Sequence, residues 1–404
     1  MAYFFVCRAM KLLRVVFFGF ASIILALVVC QYFFCPRFHF EEQSPFEGPV
    51  LYNPYESLHP SPWVKCNFHA HARAWNSVTN GKGTAADIHR AYRSLNYGVH
   101  CVSNYHDIDS TDSDDKAFIA AYEHGYNLNK THQLVLGGHK ILWLDYLLPQ
   151  TAHNKQHVLS RLRTPGSLTI LNHPEIRQGY TKRDLERLTA YDCMEVLNPA
   201  ATSTREWDAA LSAGKKVFIT GNDDIHNVTE KAQLGRNCTF VNVSHTEGSQ
   251  VLEALRVGRS YGVVIGDGQP VDSIPALESL TVRGQTVKVE MDQEAELIEV
   301  TGQQGKLLAL HRDTDKVTFE LLKSDHYART TVRYKNGTTL YLNPVFFTPT
   351  EGYDEGVFYE DQQETLIYRA LGILICCLWI LLLLQLLTGY RIRLPPLLGG
   401  ILSR

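Results

Sequence analysis

Two long apolar runs bracket this chain and dictate where everything between them goes. Val15 to Phe34 spans twenty residues without a charge, and Ala370 to Leu387 spans eighteen with Gln385 as the one strongly polar side chain. Each is long enough to cross a bilayer as a helix. A cleaved leader has a shorter apolar stretch and small residues at its cut site, whereas Leu27-Val28-Val29-Cys30 places bulky side chains there, so the first run reads as an uncleaved anchor. Arg8, Lys11 and Arg14 precede the first run, with Glu41 and Glu42 after it. Asp354, Glu355, Glu360, Asp361 and Glu364 precede the second, with Arg391, Arg393 and Arg404 after it. Basic flanks stay on the cytoplasmic side. The expected topology therefore has both termini in the cytoplasm and the body outside it, on the periplasmic face of a bacterial inner membrane.

Between the anchors, strand-like and helix-like stretches alternate. The chain has 404 residues and a formal net charge of -3, with no long basic patch. That balance argues against nucleic acid as a partner. The expected divisions are a cytoplasmic start (1–14), a transmembrane helix (15–35), a proline-rich stem (36–62), a βα-repeating domain (63–236) and a small all-β sandwich (237–350). An acidic linker (351–368), a transmembrane helix (369–388) and a basic cytoplasmic tail (389–404) follow. Capping boxes at Thr84/Asp87, Thr181/Asp184 and Ser203/Glu206 open helices, and strands are expected at 133–136 and 194–197. The Ala-rich stretch from Ala117 to Tyr126 reads as a helix. Asn336-Gly337 suits a tight hairpin turn. Cys66, Cys101, Cys193 and Cys238 show no ligand spacing and read as buried small hydrophobes.

Chemistry concentrates in the first half. Twelve of the seventeen histidines fall between His69 and His226. His69 and His71 follow an apolar run, His106 follows another, His173 follows Leu168 to Leu171, and Asp224 and His226 follow Val217 to Thr220. In a parallel α/β domain the carboxyl ends of successive strands converge on one mouth, so ligands far apart in sequence meet there. All six are of the types that hold divalent metals.

These residues also resemble a known family, the polymerase and histidinol phosphatase (PHP) superfamily of metal-dependent phosphoesterases. Asn67-Phe68-His69-Ala70-His71 is similar to its first His-x-His motif, Asn104-Tyr105-His106-Asp107 to its Thr-Asp-His-Asp, Leu171-Asn172-His173-Pro174 to its apolar-x-His-Pro, and Asp224-Ile225-His226 to its closing Asp-x-His. The likeness covers about residues 63 to 226. It implies a distorted, seven-stranded (β/α) barrel followed by the sandwich, and two or three manganese, zinc or iron ions. The chain departs from the pattern at Asn76 and Ser77, at Tyr105, and at Gly137-Gly138-His139, the best local match to a Gly-x-Glu that supplies a bridging carboxylate. Either Glu123, His139, His153 or His157 re-forms the missing coordination, or one metal position is lost. His89, His100, His124 and His132 read as structural.

The implied activity is hydrolysis of a small or lipid-linked phosphoester. His69, His71 and Asp224 would hold one ion and His106, His173 and His226 the others. Arg73, Arg177 or Arg205 would bind phosphate oxygens. Two other readings stay open: a metal-dependent amide or lactone hydrolase, since one mouth geometry serves both chemistries, and a non-catalytic membrane scaffold or sensor whose metal site is structural or decayed.

Overall fold

The computed structural model describes residues 2–41, 44–60, 62–353 and 358–388, and for residues 2–9, 11 and 388 the backbone alone. Asp354, Glu355, Arg391, Arg393 and Arg404, on which part of the expected topology rests, lie outside the described residues, as does Glu42. The chain divides into two compact units, one made from its two ends and one running from Phe40 to Phe358.

From the amino end, α1 (Ala2–Tyr32) and β1 (Phe38–Phe40) lead into β2 (Val50–Tyr52) and β3 (Val64–Asn67). Next come α2 (Ala85–Ser94), β4 (Val99–His100), β5 (Ala121–His124), β6 (Gln133–Leu136), α3 (Ala152–Leu162), β7 (Leu168–Leu171) and α4 (Lys182–Arg187). Then follow β8 (Cys193–Asn198), β9 (Ala201–Thr202), α5 (Thr204–Ser212) and β10 (Phe218–Gly221). The β-rich half holds β11 (Asn237–Val241), α6 (Gly248–Arg256), β12 (Ser260–Val264), β13 (Leu277–Arg283), β14 (Thr286–Thr301), β15 (Leu307–Glu320), β16 (Tyr327–Arg333), β17 (Thr339–Leu342) and β18 (Val345–Thr348). Last are β19 (Phe358–Glu360) and α7 (Gln362–Thr388).

In the terminal unit, α1 and α7 are both long and apolar enough to cross a membrane. They pack on each other: Trp379 Nε1 donates to Ser22 Oγ at 2.9 Å. Gly372 permits the approach, because a Cβ there would stand 2.9 Å from the Phe33 side chain.

The body is mixed α/β and contains two sheets. One runs β10-β8-β7-β6-β5 with β9 on β8; the other runs β13-β14-β16-β17-β12-β11-β3-β4, with β15 on β14. Leu168, Ile170, Leu171, Met194, Val196, Leu197 and Ile219 are completely buried, as expected of parallel strands covered on both faces. Thr84 and Thr181 close their capping boxes with Asp87 and Asp184. Ser203 does not, and its hydroxyl instead accepts from the Glu175 backbone.

Four expectations change. First, no continuous barrel ladder forms. β3 has one edge on β4 and gives the other to β11, which leaves no edge for β10. Among the described residues, isolated bridges, Ala70 with Ile225, Lys82 with Asn227 and Tyr105 with Glu123, link the segments beyond the strand ends. Second, residues 121–124 are a strand, not part of a helix. β5 pairs antiparallel with β6 through the loop 125–132, and β6 antiparallel with β7 across the longer connection that carries α3.

Third, the stretch expected as a stem belongs to the body. β2 pairs with β18, Phe46 stacks on Phe346 at 4.4 Å, and the buried Tyr55 hydroxyl donates to Ser260 O at 2.9 Å. Its aromatic side chains find an apolar groove that a proline count does not reveal. Fourth, the line expected between 236 and 237 is crossed by the pairing of β11 with β3, so the β-rich half extends the sheet that β3 and β4 begin rather than forming a separate sandwich.

Candidate metal centre

The segment after β3 stays extended although its ladder has ended, because other loops satisfy its backbone. Phe68 N donates to Asn222 Oδ1 (2.8 Å), Ala70 N to Ser103 Oγ (3.1 Å), His71 N to Ile225 O (2.8 Å) and Ala72 N to Asn104 Oδ1 (2.9 Å). Extended backbone alternates its side chains, so His69 and His71 face the same way. Their Nε2 atoms stand 3.1 Å apart. His173 and Asp224 reach the same place from left-handed backbone, with φ of 30° and 46°, a conformation costly for residues with a Cβ and concentrated at functional sites.

Asp224 Oδ1 lies 3.2 Å from His69 Nε2, 3.3 Å from His71 Nε2 and 3.4 Å from His226 Nε2. Glu123, from β5, lies between this group and a second one. Its Oε2 is 3.2 Å from His71 Nε2, and its Oε1 is 3.4 Å from His69 Nε2, 2.8 Å from His132 Nδ1 and 3.4 Å from His173 Nε2. Two sets of donor atoms, His69/His71/Asp224 and Glu123/His132/His173, are each compact enough to share one ion. Glu123, His69, His71, His132 and His173 are all at most 4% exposed.

The set fits divalent cations. Ligand atoms held about 2.0–2.2 Å from a common ion fall about 3.0–3.5 Å from one another, which is the spacing of the first set; in the second, Glu123 stands 2.8 Å from His132 and 3.4 Å from His173. Glu123 Oε2 and Asp224 Oδ1 are buried without a hydrogen-bond partner, a costly state for carboxylates that lack a cation. Burial disfavours the imidazolium of His69, yet Asp224, Glu195 and Glu123 outweigh burial and hold the ring well above the usual histidine range. His71 is raised against burial by Asp224 and Glu123, and His173 by Glu123, Asp224 and Glu195. Burial would raise Glu123, but His132 and His69 hold it well below the carboxylate norm.

An outer ring of polar groups orients this set. Glu195 Oε1 faces His69 Nδ1 at 2.9 Å and also receives Asn222 Nδ2 at 3.0 Å. Asn172 Nδ2 donates to Glu123 (3.0 Å) and Asn198 Nδ2 to Asp224 (3.1 Å). Tyr105 stacks on His71 with ring centres 4.6 Å apart. Burial and the charges of Glu123 and Asp224 push its phenol far above the usual range, so it stays protonated.

No protein-family model matches the chain, and no curated protein matches it. Among solved structures it is similar to a protein from Bacteroides vulgatus described as a two-domain protein containing a predicted PHP-like metal-dependent phosphoesterase. The TM-score is 0.36 with 14% identity, covering 80% of this chain and 99% of that one.

Of the residues singled out in the sequence, His69, His71, His173, Asp224 and Glu123 come together. His226 stands at the rim, its ring stacked on His71 at 4.4 Å; burial and His71 hold it down at about 4. The others lie elsewhere. His106 turns away on left-handed backbone (φ 46°): its Nδ1 meets Leu142 O at 3.1 Å and its ring stacks on Trp143. His139 is exposed, and His157, on α3, pairs with the Tyr146 hydroxyl at 2.7 Å. His153 packs against Phe40. Arg73 is exposed, Arg177 Nη1 donates to Leu128 O at 3.3 Å, and Arg205 pairs with Glu175 at 3.5 Å.

His132 is the residue that sequence reasoning missed. It sits just before β6 rather than after a strand, and only a hairpin reading of 121–136, with Glu123 and His132 on facing arms, would have exposed it. Of the four residues offered in place of the missing Gly-x-Glu carboxylate, Glu123 is the one that lies among these histidines.

Proposed function

We propose that this chain is a metal-dependent phosphoesterase of the PHP type, anchored in a membrane by α1 and α7 with its body outside the cytoplasm. One observation carries the reading: a buried carboxylate, Glu123, shared between two imidazole-carboxylate clusters. His69, His71 and Asp224 would hold one divalent ion, and Glu123, His132 and His173 a second, with Glu123 within reach of the first set and His226 at the rim. Manganese, zinc and iron all suit this oxygen and nitrogen set. Such ions supply Lewis acidity towards a phosphoryl oxygen and towards water.

The chain's own groups do the positioning. Glu195 fixes the His69 tautomer so that the Nε2 lone pair faces the cluster. In hydrolysis a water oxygen bonds to phosphorus, the ester P–O bond breaks, and the leaving alcohol takes up a proton. Tyr105, kept protonated, donates its hydroxyl hydrogen bond to the Glu123 carboxylate and so helps to orient it. A small or lipid-linked phosphoester suits a body tethered to a bilayer.

The test uses the full chain in detergent, purified without chelator. About two metal ions per chain by elemental analysis and chelator-sensitive hydrolysis of p-nitrophenyl phosphate or its diester are expected. The His69→Ala/His71→Ala variant loses most metal and all turnover. Metal content unchanged in that variant, or an absence of metal and turnover in the native chain, overturns the proposal.

A further inference from the structure

At the rim of the metal centre three consecutive non-glycine residues, Trp75, Asn76 and Ser77, adopt left-handed backbone with φ of 52°, 52° and 69°. Side chains with a Cβ rarely do this without a reason in the surrounding structure. The turn holds the Trp75 indole, whose Nε1 donates to Tyr105 O at 2.8 Å, and Tyr105 is the ring that lies over His71. Trp143 meets Trp75 edge to face at 5.8 Å and lies nearly parallel to His106, 15° off, at 5.1 Å. Both indoles are fixed, yet Trp75 is 47% and Trp143 57% exposed. Lys130 brings a cation to the same rim, its Nζ 5.6 Å from the centre of the Tyr105 ring.

We infer that Trp75 and Trp143 form the subsite for the leaving alcohol, and that this alcohol carries a flat-faced ring, aromatic or sugar, which stacks on the indoles. The inference rests on the phosphoesterase reading and specifies its substrate class. Indoles reward a ring through their faces, and the phosphate of such an ester would lie towards Tyr105 and the metal ligands, next to Lys130. An aliphatic chain gains nothing from the orientation that the hydrogen bond and the His106 stack impose. This also gives the departure at Asn76 and Ser77 a role: these positions shape a recognition turn.

The test compares three esters of primary alcohols, benzyl phosphate, glucose 6-phosphate and n-hexyl phosphate, on the full metal-loaded chain in detergent. A ring substrate should show the lowest KM, benzyl phosphate marking an aromatic source and glucose 6-phosphate a sugar. Trp75→Ala and Trp143→Ala should each raise that KM about tenfold, the scale of one stacking contact, with kcat little changed and thermal melting near native. Independently of turnover, benzylphosphonate should quench tryptophan fluorescence in the native chain and not in the double variant. Equal KM values for hexyl and ring esters, or variants indistinguishable from native, overturn this inference while leaving the phosphoesterase reading intact. Failure of the metal-loaded native chain to hydrolyse any of the three overturns both.

Discussion

Glu195 accepts the Nδ1 proton of His69 across 2.9 Å, and both side chains are fully sequestered from solvent. A carboxylate has no proton to give, so the hydrogen bond decides the tautomer and leaves Nε2 as a donor atom for a cation. Removing such a partner typically weakens metal binding about 10- to 100-fold. Glu195→Gln should therefore lose metal to a competing chelator at correspondingly lower chelator concentration. Affinity within twofold of native would mean that His69 is oriented by other groups.

Glu123→Ala should have a larger effect, because the carboxylate serves both clusters. Metal content is expected to fall by half or more and hydrolysis by about 100-fold or greater. His139→Ala is the contrasting variant: the side chain is exposed, and its loss should change stability by no more than about 0.5 kcal/mol. Elemental analysis of the two variants side by side checks the assignment, and metal loss in the His139 variant alone would reverse it.

Arg329 ties the β-rich half to α5. Its Nε and Nη2 each reach the Asp208 carboxylate at 2.7 Å, the Tyr327 hydroxyl joins at 3.1 Å, and the guanidinium lies 5.5 Å from the Trp207 ring. Arg329→Met leaves a largely buried carboxylate unpaired and should cost about 3 kcal/mol. Adding Asp208→Leu should recover much of that loss in denaturant titrations. A single variant as stable as native would place the pair among those of no net worth.

His100 offers a pH signature away from the metal centre. It faces His89, with the two Nδ1 atoms 2.8 Å apart, among Arg93, Asp109, Asp112 and Asp115. Burial and then His89 push it down to about 4. From pH 6.5 down to 4 the unfolded chain binds the extra proton first, so stability falls as pH falls across that window and levels off on either side. With its partial exposure, the loss is about 1–2 kcal/mol. Melting temperatures of the chelator-treated chain should decline less over this range in His100→Gln; an unchanged slope would assign the effect to other groups.

How much of this was legible in the sequence varies with distance along the chain. β6 and β7 announce themselves as short apolar runs, and the residues that follow β3, β7 and β10 are the ones that converge. β5 does not. Ala117, Ala120 and Ala121 favour a helix by propensity, and a four-residue strand is too short to display alternation, so tertiary pairing decides. Losing β5 also hid His132, whose position makes sense only as the facing arm of a hairpin. His106 follows its strand as the family motif implies, but one left-handed residue turns its ring towards Trp143, and no side-chain pattern encodes that rotation. The continuity of β3 with β11 has no local signature, because the two segments lie on opposite sides of the whole α/β repeat.

That continuity also sets an order of events at the ribosome. The strand that presents His69 and His71 is among the first made, but it waits for β11, whose neighbour β12 waits for β17, while β2 waits for β18 at Thr348. Sheets closed by such distant partners form slowly and late. A nascent chain thus carries its imidazoles unassembled until nearly the whole body has emerged, so an ion taken up by these clusters would bind as a maturation step rather than as a template for the first fold.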